Sequence, residues 1–168
     1  MVVQVVFEER YWYPDDGGQV WLAGYTPVDA TGAYLGRDAP ELAARGLRVA
    51  SVAGARFQAA ALDSDAAAPG RPLELRRDPG NEHDPSAVMV LAGGAQVGWV
   101  PRELAAEIAP QLEAGRPWSA VVLREQRASP RDPRHGLTML LAPDTDVSFV
   151  TWRPTTSSHR TRPPSGST

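Results

Sequence analysis

The sequence predicts a mainly β chain with one or two short helices, folded as a small, partly open barrel with an N-terminal β-hairpin extension. Three observations lead there. Five or six short apolar or alternating runs are separated by Gly, Pro and Asp clusters. A single longer helical pattern, Arg102 to Ala114, stands before the last two runs. Gly93-Gly94 marks a tight two-residue turn between two of them. Short strands with one helix inserted before the closing pair suit an oligonucleotide-binding-like (OB-like) barrel.

Val2 to Tyr13 mixes β-branched and aromatic residues, Asp15-Asp16-Gly17-Gly18 is a turn signal, and Gln19 to Tyr25 reads as the return strand. Tyr11, Trp12, Tyr13 and Trp21 either pack one face of this small sheet or form a patch for a partner protein. Thr26 to Arg37 is loop-like. Ala39 to Arg45 suits a short helix, with Asp38 as N-cap and Gly46 as its stop.

Leu47 to Val52 is the first barrel strand, and Gly54 marks a turn or a close approach. Ala59 to Arg71, rich in Ala, Asp, Pro and Gly, reads as a surface loop. Leu73 and Leu75 alternate with Glu74 and Arg76, the period of a half-buried strand, whereas Ser86 to Leu91 is almost unbroken apolar sequence, as in a strand covered on both faces. Gln96 to Val100 returns, and Pro101 stands where a first helical residue would. Leu104, Ile108 and Leu112 share one helix face, while Pro110 predicts a kink or two shorter pieces. Pro117 to Glu125 and Leu137 to Leu141 are the closing strands, joined by the arginine-rich loop Arg127 to Gly136. From Asp144 the periodicity fades, and Pro154 to Thr168 is polar and proline-rich, the composition of a disordered tail. The expected organisation is therefore an extension over residues 1–45, a barrel domain over 46–143 and a flexible tail over 144–168.

Composition narrows the chemistry. The chain has no cysteine, which excludes disulfides, thiolate nucleophiles and cysteine-based zinc sites. Met1 to Arg10 lacks the basic start and apolar core of a signal peptide, and no apolar stretch reaches the roughly eighteen residues of a membrane helix, so a cytoplasmic location is expected. All seventeen basic residues are arginine. The net charge of −3 divides into −4 over residues 1–45, zero over 46–143 and +1 over 144–168. A neutral barrel is no broad electrostatic surface for duplex DNA, whose non-specific binding comes from phosphate contacts. Nucleic acid would need a small local site.

The loop Asp78-Pro79-Gly80-Asn81-Glu82-His83-Asp84-Pro85 is longer than a plain hairpin requires. A pocket for the end of an unpaired strand needs planar faces for stacking, worth about 1–3 kcal/mol per base, together with cations for phosphates. It also needs a carboxylate to accept a bond from a terminal hydroxyl. Phe57 and His83 offer planar groups, Arg56 and Arg102 cations, Asn81 and Asp84 short polar groups.

These same residues carry a family resemblance. Arg77 to Val88, read Arg-Asp-Pro-Gly-Asn-Glu-His-Asp-Pro-Ser-Ala-Val, is followed by Gln96 to Ala105, read Gln-Val-Gly-Trp-Val-Pro-Arg-Glu-Leu-Ala. With Val52 to Phe57 upstream and Leu112 to Gly115 downstream, the succession resembles the HIRAN domain over roughly residues 46 to 143. The resemblance implies an OB-like barrel without catalysis of its own, binding single-stranded DNA at a free 3′ end in DNA repair or replication-fork processing. A helicase or nuclease is the protein partner it implies. It also implies that Phe57 stacks on the terminal base, Arg56 meets a phosphate, Asn81 contacts the end nucleotide and Asp84 bonds the 3′-hydroxyl. Trp99 and Arg102 would fall on the phosphate side. Phe57 and His83 stand where the fork-binding member has tyrosines, and Trp99 replaces a histidine, which implies altered end recognition.

Other readings use the same residues. Asn81 and Asp84 suit turns that bond their own backbone, Arg76 and Arg77 suit solvated strand ends, and Arg124 to Arg134 suits either an accessory basic loop or a solubilising turn. A protein-interaction adaptor would use the aromatic hairpin. A metal-binding hydrolase acting on acid anhydrides beside a helicase would draw on His83, Asp84 and His135. Neither a G-x-S-x-G nucleophile motif nor a phosphate-cradling glycine loop is present. No cofactor is expected.

Overall fold

The computed structural model describes residues 2–13, 20–144 and 146–151, and within these the chain is mainly β. The described strands are β1 (Val2–Trp12), β2 (Trp21–Pro27), β3 (Arg48–Ser51), β4 (Pro72–Arg77), β5 (Val88–Ala92), β6 (Ala95–Trp99), β7 (Trp118–Gln126), β8 (Gly136–Pro143) and β9 (Asp146–Thr151). The helices are α1 (Pro40–Ala44), α2 (Ala59–Leu62) and α3 (Arg102–Glu113), with single 3₁₀ turns at Ala55–Phe57 and Asp65–Ala67.

Six strands curl into the expected partly open barrel. They run antiparallel in the order β3, β8, β7, β4, β5, β6. Between the end strands β6 and β3 there is no ladder, only one bridge, in which Ala53 and Trp99 exchange two backbone hydrogen bonds of 2.8 Å. Gly98 makes this approach possible. Its φ of +151° is outside ordinary side-chain territory, and a Cβ there would lie 2.3 Å from the Ala53 carbonyl oxygen. Gly93 and Gly94, at φ +57° and +85°, form the predicted hairpin turn between β5 and β6.

A second layer covers the outside of the barrel. The β1–β2 hairpin joins β7 at one register point, Gly24 opposite Arg124, and β9 adds parallel to β1 on the far side. The period of two explains why β7 and β8 hold two cores apart. Ala120, Val122, Leu137, Met139 and Leu141 face the barrel interior, with Val88, Val90, Val97 and Ile108. Val121, Leu123, Leu140 and Ala142 face the outer layer, where they meet Val5, Leu42 and Leu47. Phe7, Tyr25 and Phe149 close that outer core, with ring centroids 4.3 to 5.1 Å apart.

Several sequence expectations are corrected. Residues 59–71 are not simply a surface loop: Leu62 and Ala67 are fully buried and enter the barrel core. Asp38 does not cap α1, which starts at Pro40 with Ala39 in the N-cap position. Helix α3 runs unbroken through Pro110, because the proline sits in the last turn and forfeits only one ladder bond. Residues 146–151, expected in a tail, form β9. The expected turn at Asp15–Gly18 and the tail at Pro154–Thr168 lie outside the described residues.

Within the arginine-rich stretch, Arg127 and Arg134 are turned inward onto one carboxylate, so these two neither form an accessory surface nor solubilise a turn. Glu125, only 6% exposed, accepts hydrogen bonds from Arg127 at 2.8 and 3.0 Å, from Arg134 at 2.5 Å and from the Trp21 indole at 3.1 Å. Arg134 also donates to the Leu62 and Ser64 carbonyls at 2.9 and 2.8 Å. One buried carboxylate thus joins β7, the hairpin extension and the 59–71 segment. Burial pushes the Glu125 carboxyl up, but the hydrogen bonds from Arg127, Arg134 and Trp21 and the charge of Arg127 outweigh it and hold it below its ordinary value.

Two outcomes follow from this packing. Gly98→Ala is expected to destabilise the fold by at least about 2 kcal/mol in urea titration; an unchanged midpoint would contradict the closure argument. A carboxyl with a depressed folded pKa contributes stability above its unfolded value, and that contribution is lost as the pH falls through the folded one. Thermal stability should therefore drop below about pH 4.5, the ordinary value. Glu125→Gln should lose about 3–5 kcal/mol at neutral pH and show a flatter acid dependence.

Candidate nucleic-acid interface

The barrel's single bridge builds one wall of a cleft. Where β6 meets the Ala53 end of β3, the loop from β4 to β5 folds over to leave a cleft of about 310 Å³. Ala53, Ala87, Trp99 and Val100 make its apolar walls; Asn81, His83, Asp84 and Arg102 supply its polar groups. Five of the seven residues singled out from the sequence therefore meet in one place. The volume is at the small end of ligand sites and suits a single nucleotide-sized group.

The loop is rigid for reasons legible in its hydrogen bonds. The Asn81 side-chain oxygen accepts from the backbone N–H groups of His83 and Asp84 at 2.9 and 3.0 Å, while its amide nitrogen donates to Asp78 at 3.3 Å. Asp84 Oδ1 accepts from the Ser86 N–H at 2.9 Å. The turn-forming reading of Asn81 and Asp84 is thus realised, and it does not exhaust them. Asn81 retains a second amide hydrogen, and Asp84 Oδ2 has no hydrogen bond among the described residues.

Arg77 is the residue that the sequence reading missed. It is not a solvated strand end. Its guanidinium donates to the Ala87 and Pro85 carbonyls at 2.6 and 2.8 Å and pairs with Glu113 of α3 at 2.7 Å. It therefore ties the loop to the end of the helix that begins at the cleft. The signal was present: Arg77 continues the inward face of Leu73 and Leu75.

Arg102 is exposed at the first position of α3 and makes no ion pair among the described residues. Pro101 provides no side-chain cap, so the first N–H groups of the helix, with their partial positive charge, remain available beside the arginine. His83 is exposed on the loop and Trp99 is half-buried. The Trp99 indole lies along Gly54: a Cβ on Gly54 would sit 3.3 Å from its Cδ1.

Arg56 and Phe57 do not line this cleft. They lie beyond Gly54 and Trp99, beside a neighbouring depression of about 440 Å³ shared with Gln126 and His135. Phe57 is 73% exposed, and the Arg56 guanidinium lies 4.8 Å from its ring centroid. Phe57 faces solvent and is not part of the core. His83 and His135 line different depressions, and among the described residues no group of three His, Asp or Glu side chains is placed to hold a metal ion. Among the described residues no helix is long and apolar enough to cross a membrane.

A mainly β barrel with a rigid polar loop over a nucleotide-sized cleft defines a binding domain. Its family follows from comparison: the HIRAN domain pattern matches residues 46–133, more than half the chain, and the protein belongs to the HIRAN domain family. HIRAN domains are nucleic-acid-binding modules. Among solved structures, the HIRAN domain of human HLTF is similar at 24% identity and a TM-score of 0.43, over 56% of this chain and 74% of that one. A protein from Lactobacillus plantarum is similar at 22% identity and a TM-score of 0.47, over 55% of this chain and 87% of that one. No curated protein matches at a significant level.

Asn81→Ala removes the loop's brace. It is expected to cost about 1–2 kcal/mol and to speed hydrogen exchange at the His83 and Asp84 amides. Unchanged exchange at those two amides would show that the loop is held by other means.

Proposed function

We propose that the cleft holds the terminal nucleotide of an unpaired DNA strand with a free 3′-hydroxyl, and that the protein works by binding, without catalysis. The observation that carries this reading is the convergence of Asn81, His83, Asp84, Trp99 and Arg102 in one cleft of about 310 Å³. The resemblance noted in the sequence supports the choice of strand end.

The proposed roles follow from the chemistry of each group. Trp99 and His83 are planar walls for a base. Asp84 Oδ2 accepts the hydrogen of the 3′-hydroxyl, which a 3′-phosphate cannot offer and whose charge the carboxylate repels. Arg102 and the open start of α3 meet the phosphate on the 5′ side of that nucleotide. Phe57, exposed beyond Trp99, stacks on the adjoining base, with Arg56 at the next phosphate. Recognition of a strand end, rather than duplex, fits a barrel with no net charge, since a few local contacts replace a broad basic face. The setting we infer is DNA repair or fork processing, with a helicase or nuclease as the protein partner.

Fluorescence anisotropy with oligonucleotides ending in 3′-hydroxyl or 3′-phosphate tests the reading. The hydroxyl end should bind about tenfold more tightly, and Asp84→Asn should abolish most of that preference. Phe57→Ala should weaken both by roughly the stacking contribution of one base, about 1–3 kcal/mol. Equal binding of the two ends by the unaltered protein would overturn it.

A further inference from the structure

The outer face of the sheet carries a second cationic feature, built largely by the extension that the family match does not cover. Ser51, Thr138, Arg124, Gly24 and Arg10 are successive register partners across β3, β8, β7, β2 and β1. Partners in antiparallel ladders project to the same face, so these five form one row at right angles to the strands. Four strand spacings of roughly 4.8 Å make it about 19 Å long.

The side chains along the row are cations and hydroxyls. At one end Ser51 and Thr138 are joined by the Gln126 amide, at 3.3 and 3.1 Å, and Gln126 lines the depression that also holds Arg56, Phe57 and His135. At the other end the Arg10 guanidinium lies 4.2 Å from the ring centroid of Tyr34, itself 55% exposed. Between them Gly24 contributes no side chain, and the Arg124 side chain passes within 2.6 Å of where its Cβ would be. Arg37, exposed, stands close enough to Arg124 to act on its charge, as does Arg10.

None of these three arginines has an ion-pair partner among the described residues. Arg124 is half-buried, and its burial together with Arg37 and Arg10 lowers its pKa. Removing a cation from water beside two like charges is unfavourable unless an anion restores the balance. Elsewhere the chain pairs its partly buried arginines, Arg77 with Glu113 and both Arg127 and Arg134 with Glu125. The contrast points to a ligand.

We propose that Arg10, Arg37 and Arg124 form an anion track that holds the phosphates of the single strand upstream of its end, led there past Arg56, Phe57 and Gln126. This rests on the reading that the cleft takes the strand terminus. Tyr34 at the far end is a stacking surface for an unpaired base.

The test compares Arg10→Gln/Arg37→Gln with the unaltered full chain, both confirmed folded by thermal melting, on a trinucleotide and a dodecanucleotide of thymidine with 3′-hydroxyl ends. The double variant should bind the dodecanucleotide roughly tenfold more weakly, with trinucleotide binding unchanged. Its salt slope should fall by about 0.7 for each phosphate no longer neutralised. Dodecanucleotide binding that survives the substitutions, or an equal weakening on both lengths, would overturn the track. If the 3′-hydroxyl preference is absent while the length-dependent weakening is present, the end-binding reading fails and the track stands.

Discussion

Two backbone hydrogen bonds between Ala53 and Trp99 hold the otherwise open seam of the barrel, and the candidate cleft depends on them. They place Ala53 and Trp99 side by side as its wall, and they position Val100 and Arg102 at the start of α3 opposite the loop carrying Asn81 and Asp84. The seam closes because Gly98 has no side chain to keep the strands apart. A site of this kind combines a rigid floor of strands with a polar loop that is itself immobilised, by Asn81 from within and by Arg77 from beneath. Fixed geometry matters for the proposed end recognition, in which a hydroxyl would be told from a phosphate by where the carboxylate stands.

The outer layer is part of the same construction. Because β7 and β8 bury both faces, the hairpin extension is packed on the barrel and not hung from it. Glu125 makes the connection specific, drawing Trp21 of the extension and two arginines of the following loop onto one carboxylate. Replacing any partner of such a buried pair leaves a charge stranded, which explains why the loop is arginine-rich without being a solvent-facing basic patch. The aromatic residues of the extension divide accordingly: Phe7 and Tyr25 are packed with Phe149, whereas Tyr11 and Tyr13 face solvent.

Much of this was legible in the order of residues. Alternation at Leu73 and Leu75, the apolar run at Val88 to Leu91 and the Gly93-Gly94 turn marked the central strands, because burial and positive φ leave direct traces in sequence. The cleft was legible because three of its four polar members, Asn81, His83 and Asp84, lie close together in one loop. What escaped were partnerships across long separations. Nothing near Arg134 announces the Leu62 carbonyl, nothing near Trp21 announces Glu125, and the strand at residues 146–151 forms only because β1 offers it an edge. The family resemblance implies that Arg56 and Phe57 share the end nucleotide with Asn81, yet the Gly54 turn carries them past Trp99 to the adjoining depression.

Electrostatics gives the account its character: a neutral barrel and, among the described residues, a few arginines without ion-pair partners and a carboxylate oxygen with no hydrogen bond. The most direct test is an NMR titration of the full chain with a short thymidine oligonucleotide ending in a 3′-hydroxyl. The account predicts that the Trp99 indole N–H and the amides of residues 81–87 shift first and most. The Trp21 and Trp118 indoles, bonded to Glu125 and Gln111, should hold still. Large shifts at those two indoles, with residues 81–87 unmoved at saturation, would contradict it.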